Sequence, residues 1–136
     1  MLGAIIGDIV GSVYEFDNTK RTDFPFFSDR CCYTDDSIMT VAVAEWLLTD
    51  NSHTHESLEN IMVRYARKYT FPMGGYGGSF AMWLFHPERL VNYKTGELAG
   101  KRVPYNSWGN GAAMRASAVG WMFDTLEETE KVAAIS

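Results

Sequence analysis

The sequence predicts an all-α fold, and three observations predict it. Apolar residues recur at helical spacing in several windows. No window alternates as a half-buried strand does. The windows are separated by loops rich in glycine, asparagine, threonine and proline, several of which end in a helix-capping residue. With 136 residues the chain has the length of one ordinary domain, and its 46% hydrophobic and 21% charged content is globular. That composition excludes low-complexity disorder and collagen-like repeats. The longest apolar stretch, Met39 to Leu48, is interrupted by Glu45 and is too short to span a membrane. The N-terminus carries no basic stretch followed by a small-residue cleavage site, so no secretory leader is expected. The two cysteines, Cys31 and Cys32, are adjacent and have no other partner in the chain, which favours a reducing cytoplasm.

The first helix is written by Leu2, Ile5, Ile6, Ile9, Val10 and Val13 at i, i+3, i+4 spacing. Gly3, Gly7 and Gly11 recur every fourth residue, each costing about 1 kcal/mol of helix propensity relative to alanine. Such a stripe admits another backbone closely and predicts a central helix. Asp8 and Glu15 lie two turns apart on nearly one face. Either they are carboxylates satisfied by neighbouring backbone or at least one is a ligand.

Residues 16–33 read as a loop, broken by Phe24-Pro25-Phe26-Phe27. Thr34 is a good N-cap for a buried helix running through Ile38 to Leu48. Asp35 and Asp36 then fall in its first turn, where the helix dipole favours negative charge. A hydroxyl and two carboxylates at one helix start also make a hard oxygen site, suited to Mg²⁺, Mn²⁺ or Ca²⁺ rather than zinc. A third helix is predicted from Glu56 to about Tyr69, with Leu58, Ile61, Met62 and Tyr65 inward. His53 and His55 before it read as exposed loop residues; the alternative, a metal pair, lacks a third ligand of matching softness. Arg64, Arg67 and Lys68 crowd its end, complementing the dipole and able to attract phosphate.

Gly74, Gly75, Tyr76, Gly77, Gly78 and Ser79 form a glycine-rich loop before a helical stretch at Phe80 to His86. Such loops offer backbone N–H groups to anions, or are simply flexible connections. The spacing is that of neither a Walker loop nor a dinucleotide fingerprint. Pro87 to Tyr105 reads as a long loop with a turn at Thr95-Gly96. Asn106, Ser107, Trp108, Gly109, Asn110 and Gly111 open a helix from Ala112 to Phe123 whose first half is built of small residues. Asn106, Ser107 and Asn110 can bond a polar ligand, and Arg115 can pair with a carboxylate or phosphate. Asp124 or Thr125 caps a last helix, with Glu127 or Glu128 at the capping-box position. Leu126, Val132 and Ile135 begin its apolar stripe, which reads as interrupted at Ser136.

Charge is unevenly placed. Residues 1–60 hold 3 basic and 11 acidic side chains, residues 61–123 hold 8 basic and 2 acidic. Either solvated faces differ in sign, or an acidic segment holds cations while a basic one faces an anionic ligand. The acidic total disfavours nucleic acid as a partner.

The order and wording of these motifs resemble the ADP-ribosylglycohydrolase family. The resemblance rests on Gly3-Ala4-Ile5-Ile6-Gly7-Asp8-Ile9-Val10-Gly11 with Glu15, on Tyr33-Thr34-Asp35-Asp36-Ser37, on the Gly74–Ser79 loop, and on Asn106-Ser107-Trp108-Gly109-Asn110-Gly111-Ala112-Ala113-Met114-Arg115. It implies an all-helical bundle with two Mg²⁺ or Mn²⁺ ions in a cleft, cleaving the bond between ADP-ribose and a protein side chain or related acceptor. Thr34, Asp35, Asp36 and Glu15 would be metal ligands, with Glu15, Asp35 and Asp36 catalytic. Gly74, Gly75, Tyr76, Gly77, Gly78, Ser79, Asn106, Ser107, Gly109, Asn110, Gly111 and Arg115 would line the ADP-ribose cleft. Glycosidic cleavage passes through an oxocarbenium-like state and ordinarily uses two carboxylates.

The sequence departs from the family in length. Family members are considerably longer, and their second half carries an Asp-x-Asp-Thr metal motif that is absent here. Residues 1–136 are therefore expected to be a single incomplete domain, the N-terminal half of the family bundle. The partners implied are an ADP-ribosylated protein or a related small molecule, with no nucleic acid and no membrane, and with homo-oligomers expected through uncovered apolar faces. The alternative is a non-catalytic fragment that binds a metal or ADP-ribose, or only self-associates. A metal-dependent phosphoester hydrolase is a third reading of the same acids.

Overall fold

The structure, a computed structural model, describes residues 1–136. Seven α-helices follow one another: α1 (Leu2–Gly11), α2 (Asp35–Thr49), α3 (His55–Lys68), α4 (Gly78–Phe85), α5 (Gly111–Arg115), α6 (Val119–Met122) and α7 (Leu126–Ala133). There is no sheet; Thr34 with Met73 and Val91 with Leu98 form isolated bridges. The all-α expectation is met. No helix is long and apolar enough to cross a membrane.

The middle of the molecule is α2, which packs against α1, α3, α5 and α6. It buries Ile38, Met39, Ala42, Val43, Trp46 and Leu47 on one broad face, and Ser37, Thr40 and Ala44 are buried beyond it. Trp46 is fully buried and donates its indole N–H to the Thr54 carbonyl at 3.1 Å, which ties the end of α2 to the start of α3. Each buried isoleucine, methionine, valine or leucine of α2 contributes roughly 1.5–3 kcal/mol by leaving water. Helix α3 is amphipathic and turns Leu58, Ile61, Met62, Val63 and Ala66 onto α2. Its N-cap Thr54 accepts the Ser57 N–H, and Arg67 and Lys68 occupy its last turn.

Three expectations are corrected. The glycine-striped α1 is not central: none of its residues is buried, and the places where β-carbons would stand on Gly3, Gly7 and Gly11 meet nothing within 4 Å. Its stripe is present but only partly covered: Ile5, Ile9 and Val10 are half-buried, while Leu2 is 77% exposed. The helix predicted over Ala112 to Phe123 is broken into α5, a 3-10 turn at Ala116–Ala118 and α6. The break falls where the Met114 carbonyl accepts the Thr40 hydroxyl of α2 at 3.3 Å, a tertiary contact that periodicity does not encode. His53 is not a free loop residue. Its backbone is left-handed (φ 46°), and its half-buried ring packs edge-on to Trp46 and Phe123, at 5.3 and 5.5 Å.

The long loop from Pro87 contains a 3-10 turn and a small hairpin. Gly96 turns at φ 74°, and Ala99 N–H donates to the Leu90 carbonyl at 2.8 Å, which confirms the turn at Thr95-Gly96. Thr125 caps α7 by accepting the Glu128 N–H, and its hydroxyl donates to the Glu128 carboxylate.

Candidate active site

The site grows from the start of α2. Thr34 is extended (φ −114°, ψ −168°) and its hydroxyl oxygen accepts the Asp36 N–H at 3.2 Å. The same hydroxyl donates to Asp8 Oδ1 at 2.6 Å, while Thr34 N–H donates to Asp8 Oδ2 at 2.9 Å. Ser37 adds its N–H at 3.2 Å and its hydroxyl at 2.5 Å, both to Asp8 Oδ2. Asp8 is thus a satisfied carboxylate on α1 that clamps the first turn of α2 from outside. The choice left open between Asp8 and Glu15 is resolved in part: Asp8 holds the fold together and Glu15 stays exposed. Beside the clamp, Ser12 accepts the Cys32 N–H at 3.1 Å and donates to the Ile9 carbonyl at 2.9 Å.

The clamp leaves Asp35 and Asp36 half-buried at the floor of a cleft of about 1390 Å³, together with Glu15. Asp36 and Glu15 also line a smaller hollow of about 360 Å³ along Gly7, Gly11 and Thr34. No basic side chain pairs with Asp8, Glu15, Asp35 or Asp36; the ion pairs are Arg21 with Asp23, Arg64 with Glu45, and Glu88 with His86 and Arg89. Burial, and then repulsion from Asp36, pushes the Asp35 carboxyl up to about 6, with smaller contributions from Glu15 and Asp8. Burial likewise raises Asp36, helped by the charges of Asp8 and Glu15. Uncompensated carboxylates of this kind attract a cation or a proton.

As a metal site the donor chemistry fits and the number falls short. The oxygens are hard and unpaired with any cation, as Mg²⁺ or Mn²⁺ requires. No three carboxylate, histidine or cysteine side chains converge closely enough to hold an ion. The hydroxyl proton of Thr34 already goes to Asp8, and its oxygen already accepts an N–H.

The glycine loop reaches this floor through the parallel bridge between Met73 and Thr34. Gly74, Gly75 and Gly77 all have positive φ (78°, 74° and 69°), which explains why glycine stands at each. Tyr76 anchors the loop from below: it is buried, and its hydroxyl donates to the Tyr69 carbonyl at 2.6 Å. Burial, with Asp35 nearby, pushes that phenol up to about 12, so it remains a neutral donor. Helix α4 then begins at Gly78 and Ser79 with no side-chain cap, and both residues line the cleft.

The opposite wall carries the second motif. Asn106 is left-handed (φ 52°), Ser107 accepts the Gly109 N–H at 3.1 Å, and Asn110 precedes α5 without capping it. Gly109, Asn110 and Gly111 line the same cleft. Arg115 lines it too and is held by backbone carbonyls. Nε and Nη2 donate to the Ser136 carbonyl and Nη1 to the Gly111 carbonyl at 2.9 Å, with the guanidinium 5.7 Å from the Phe80 ring centre. Burial lowers its pKa from the usual arginine value. Three of its five N–H donors are thus committed to backbone carbonyls of this chain.

Sequence reasoning missed several wall residues. Arg102 donates to the Trp83 and Leu84 carbonyls at 3.1 and 2.9 Å and lies over the Trp83 ring. Tyr93, Tyr105 and the 98% exposed Trp108 add aromatic faces, and His55 and Glu59 reach the rim from α3. The loops that carry Tyr93, Arg102, Tyr105 and Trp108 have no periodic signal, and only the tertiary fold gathers these residues with α3.

A family profile described as ADP-ribosylglycohydrolase matches residues 1–136. Among curated proteins, the chain is similar to "ADP-ribosylhydrolase ARH3" of Mus musculus and of Homo sapiens, each at 27% identity, and of Bos taurus at 26%. Each alignment covers 100% of this chain and 41%, 42% and 41% of the relative, respectively. The chain therefore spans about two-fifths of the length of these relatives. No solved structure matches it.

Proposed function

The chain belongs to the ADP-ribosylglycohydrolase family, and from that premise we propose that it carries the acidic floor and the glycine-rich wall of a hydrolytic ADP-ribose site. The reaction is hydrolysis of the glycosidic bond between ADP-ribose and a protein side chain or related acceptor. One observation carries the reading: the unpaired carboxylates of Asp35, Asp36 and Glu15 and the Gly74–Ser79 loop open onto one cleft. A diphosphate is received by backbone N–H groups at the uncapped start of α4, which need no basic side chain. The aromatic faces of Trp83, Tyr93 and Trp108 suit a nucleobase. The carboxylates suit ribose hydroxyls and the positive charge that develops at the anomeric carbon.

Asp35, Asp36 and Glu15 are this chain's share of a divalent-cation site for Mg²⁺ or Mn²⁺. Such an ion supplies anchorage for the ribose diol and a more acidic water. The chain's own part is to hold the carboxylates apart from basic partners, to keep Asp35 and Asp36 half-buried, and to leave Glu15 exposed where it can accept or return a proton. No three such side chains converge here, so these carboxylates do not by themselves complete a site. That last observation favours a second reading, in which the 136-residue chain binds a cation or ADP-ribose without turnover.

Calorimetric titration with Mn²⁺ and with ADP-ribose, followed by hydrolysis of ADP-ribosyl-arginine in Mg²⁺, separates the readings. Binding of both ligands, with Asp35→Ala and Asp36→Ala each weakening Mn²⁺ by about tenfold or more, supports the site. Binding without turnover supports the second reading. Unchanged Mn²⁺ affinity in both variants rules out the ligand assignment.

A further inference from the structure

Gly74 stands where the glycine loop meets the acidic floor, and its surroundings differ from those of its neighbours. A β-carbon at Gly74 would lie 2.9 Å from Glu15 Oε2 and 3.3 Å from Oε1. At Gly75 and Gly77, with nearly the same positive φ, a β-carbon would meet nothing within 4 Å. All three positions need glycine for their backbone. Gly74 alone also needs it for space, and the space is taken by a carboxylate. The bridge between Met73 and Thr34 fixes Gly74 relative to Asp35 and Asp36 in the chain's next residues, so the pocket for Glu15 is registered against them.

We infer that Gly74 is a positioning residue for Glu15: its missing side chain leaves the space that the Glu15 carboxylate occupies in the cleft lined by Asp35 and Asp36. The inference rests on the role given to Glu15 above and adds a reason for one glycine that anion binding does not supply. Glu15 is exposed and its carboxylate is the free end of a flexible side chain. A methyl group at position 74 therefore displaces the carboxylate without breaking the fold. Gly74→Ala behaves as a Glu15 variant and not merely as a strained loop.

Gly75→Ala supplies the comparison, because it places alanine at the same left-handed φ with no carboxylate to move. The two variants are expected to lose similar thermal stability, since both carry the same backbone strain. In Mn²⁺ titration, Gly74→Ala is expected to weaken binding by about tenfold more than Gly75→Ala does. In a Glu15→Ala background, Gly74→Ala should weaken it no further, because the group it displaces is gone. Equal losses in the two glycine variants, or additive losses of Gly74→Ala and Glu15→Ala, overturn the inference. Should the wild-type chain bind no Mn²⁺, the cation reading fails and side-chain NMR decides this one separately. Glu15 side-chain resonances that shift in Gly74→Ala and hold in Gly75→Ala support the inference; resonances unmoved by Gly74→Ala overturn it.

Discussion

Asp35 is the residue whose environment differs most from water among the acids of the floor. Its carboxyl sits at about 6 against an ordinary 3.8, first because it is buried and then because Asp36 is beside it. The folded chain thus holds this proton more tightly than the unfolded chain does. Below about pH 3.8 Asp35 costs the fold nothing; between there and about 6 the cost grows, and above 6 it is carried in full. Without divalent ions, Asp35→Asn is therefore expected to melt above the wild type at pH 7, with the gap closing toward about pH 4. Paired thermal melts in a chelator check this; a variant no more stable than wild type at pH 7 removes the argument. Asp35 and Asp36 stood out as site candidates in Thr34-Asp35-Asp36, since two consecutive acids exceed what a helix dipole needs, and both line the cleft. The role of Asp8 did not stand out. Its partners, Thr34 and Ser37, lie 26 and 29 residues away, and no local spacing announces a bond that closes across that distance.

At the scale of elements, the Asp8 clamp joins α1 to the residues on either side of Asp35 and Asp36 at the start of α2. Its two oxygens take two N–H groups and two hydroxyls. Thr34 and Ser37 are both buried, so removing the acceptor strands donors that water reaches poorly. Asp8→Ala is expected to lower unfolding free energy by about 2 kcal/mol, and Asp8→Asn by less, since one oxygen still accepts. Urea denaturation measures both; a loss below about 0.5 kcal/mol in Asp8→Ala, within the ordinary range of surface changes, contradicts the clamp. Helices α2, α3 and α7 were readable because propensity, capping and packing agree there. The stretch from Ala112 to Phe123 was not, because small residues fit an α-helix and a 3-10 turn alike. Contacts with α2 then decide, through Thr40 on the Met114 carbonyl and the burial of Ala118. The glycine stripe of α1 was read as the mark of a central helix, yet nothing in this chain approaches Gly3, Gly7 or Gly11. Periodicity shows which face is apolar, not whether this chain supplies its cover.

For the whole molecule, that bare face is the dominant physical fact outside the cleft. Leu2 and Ile6 are 77% and 51% exposed on α1, and Trp121 and Leu126 are 81% and 73% exposed around α6 and α7. Apolar surface leaving water contributes roughly 25 cal/mol per Å², so a helix with an open glycine groove and a row of aliphatic side chains gains by meeting another apolar surface. The relatives it matches are more than twice as long, and a longer chain can carry such a surface itself. The 136 residues alone can find it only between molecules. Self-association at high concentration is therefore expected, and light scattering across a concentration series should show mass rising above that of one 15.3 kDa chain. Leu2→Glu together with Ile6→Lys places charges on the open face without touching the core around α2. The pair should restore the monomer while shifting Tm little, because neither side chain is buried in a single chain. A wild-type chain that stays monodisperse and monomeric at high concentration would show that the α1 face tolerates water. The same charges leaving the assembly intact would place the contact elsewhere, on the Trp121 and Leu126 side, where Leu126→Glu then becomes the deciding substitution.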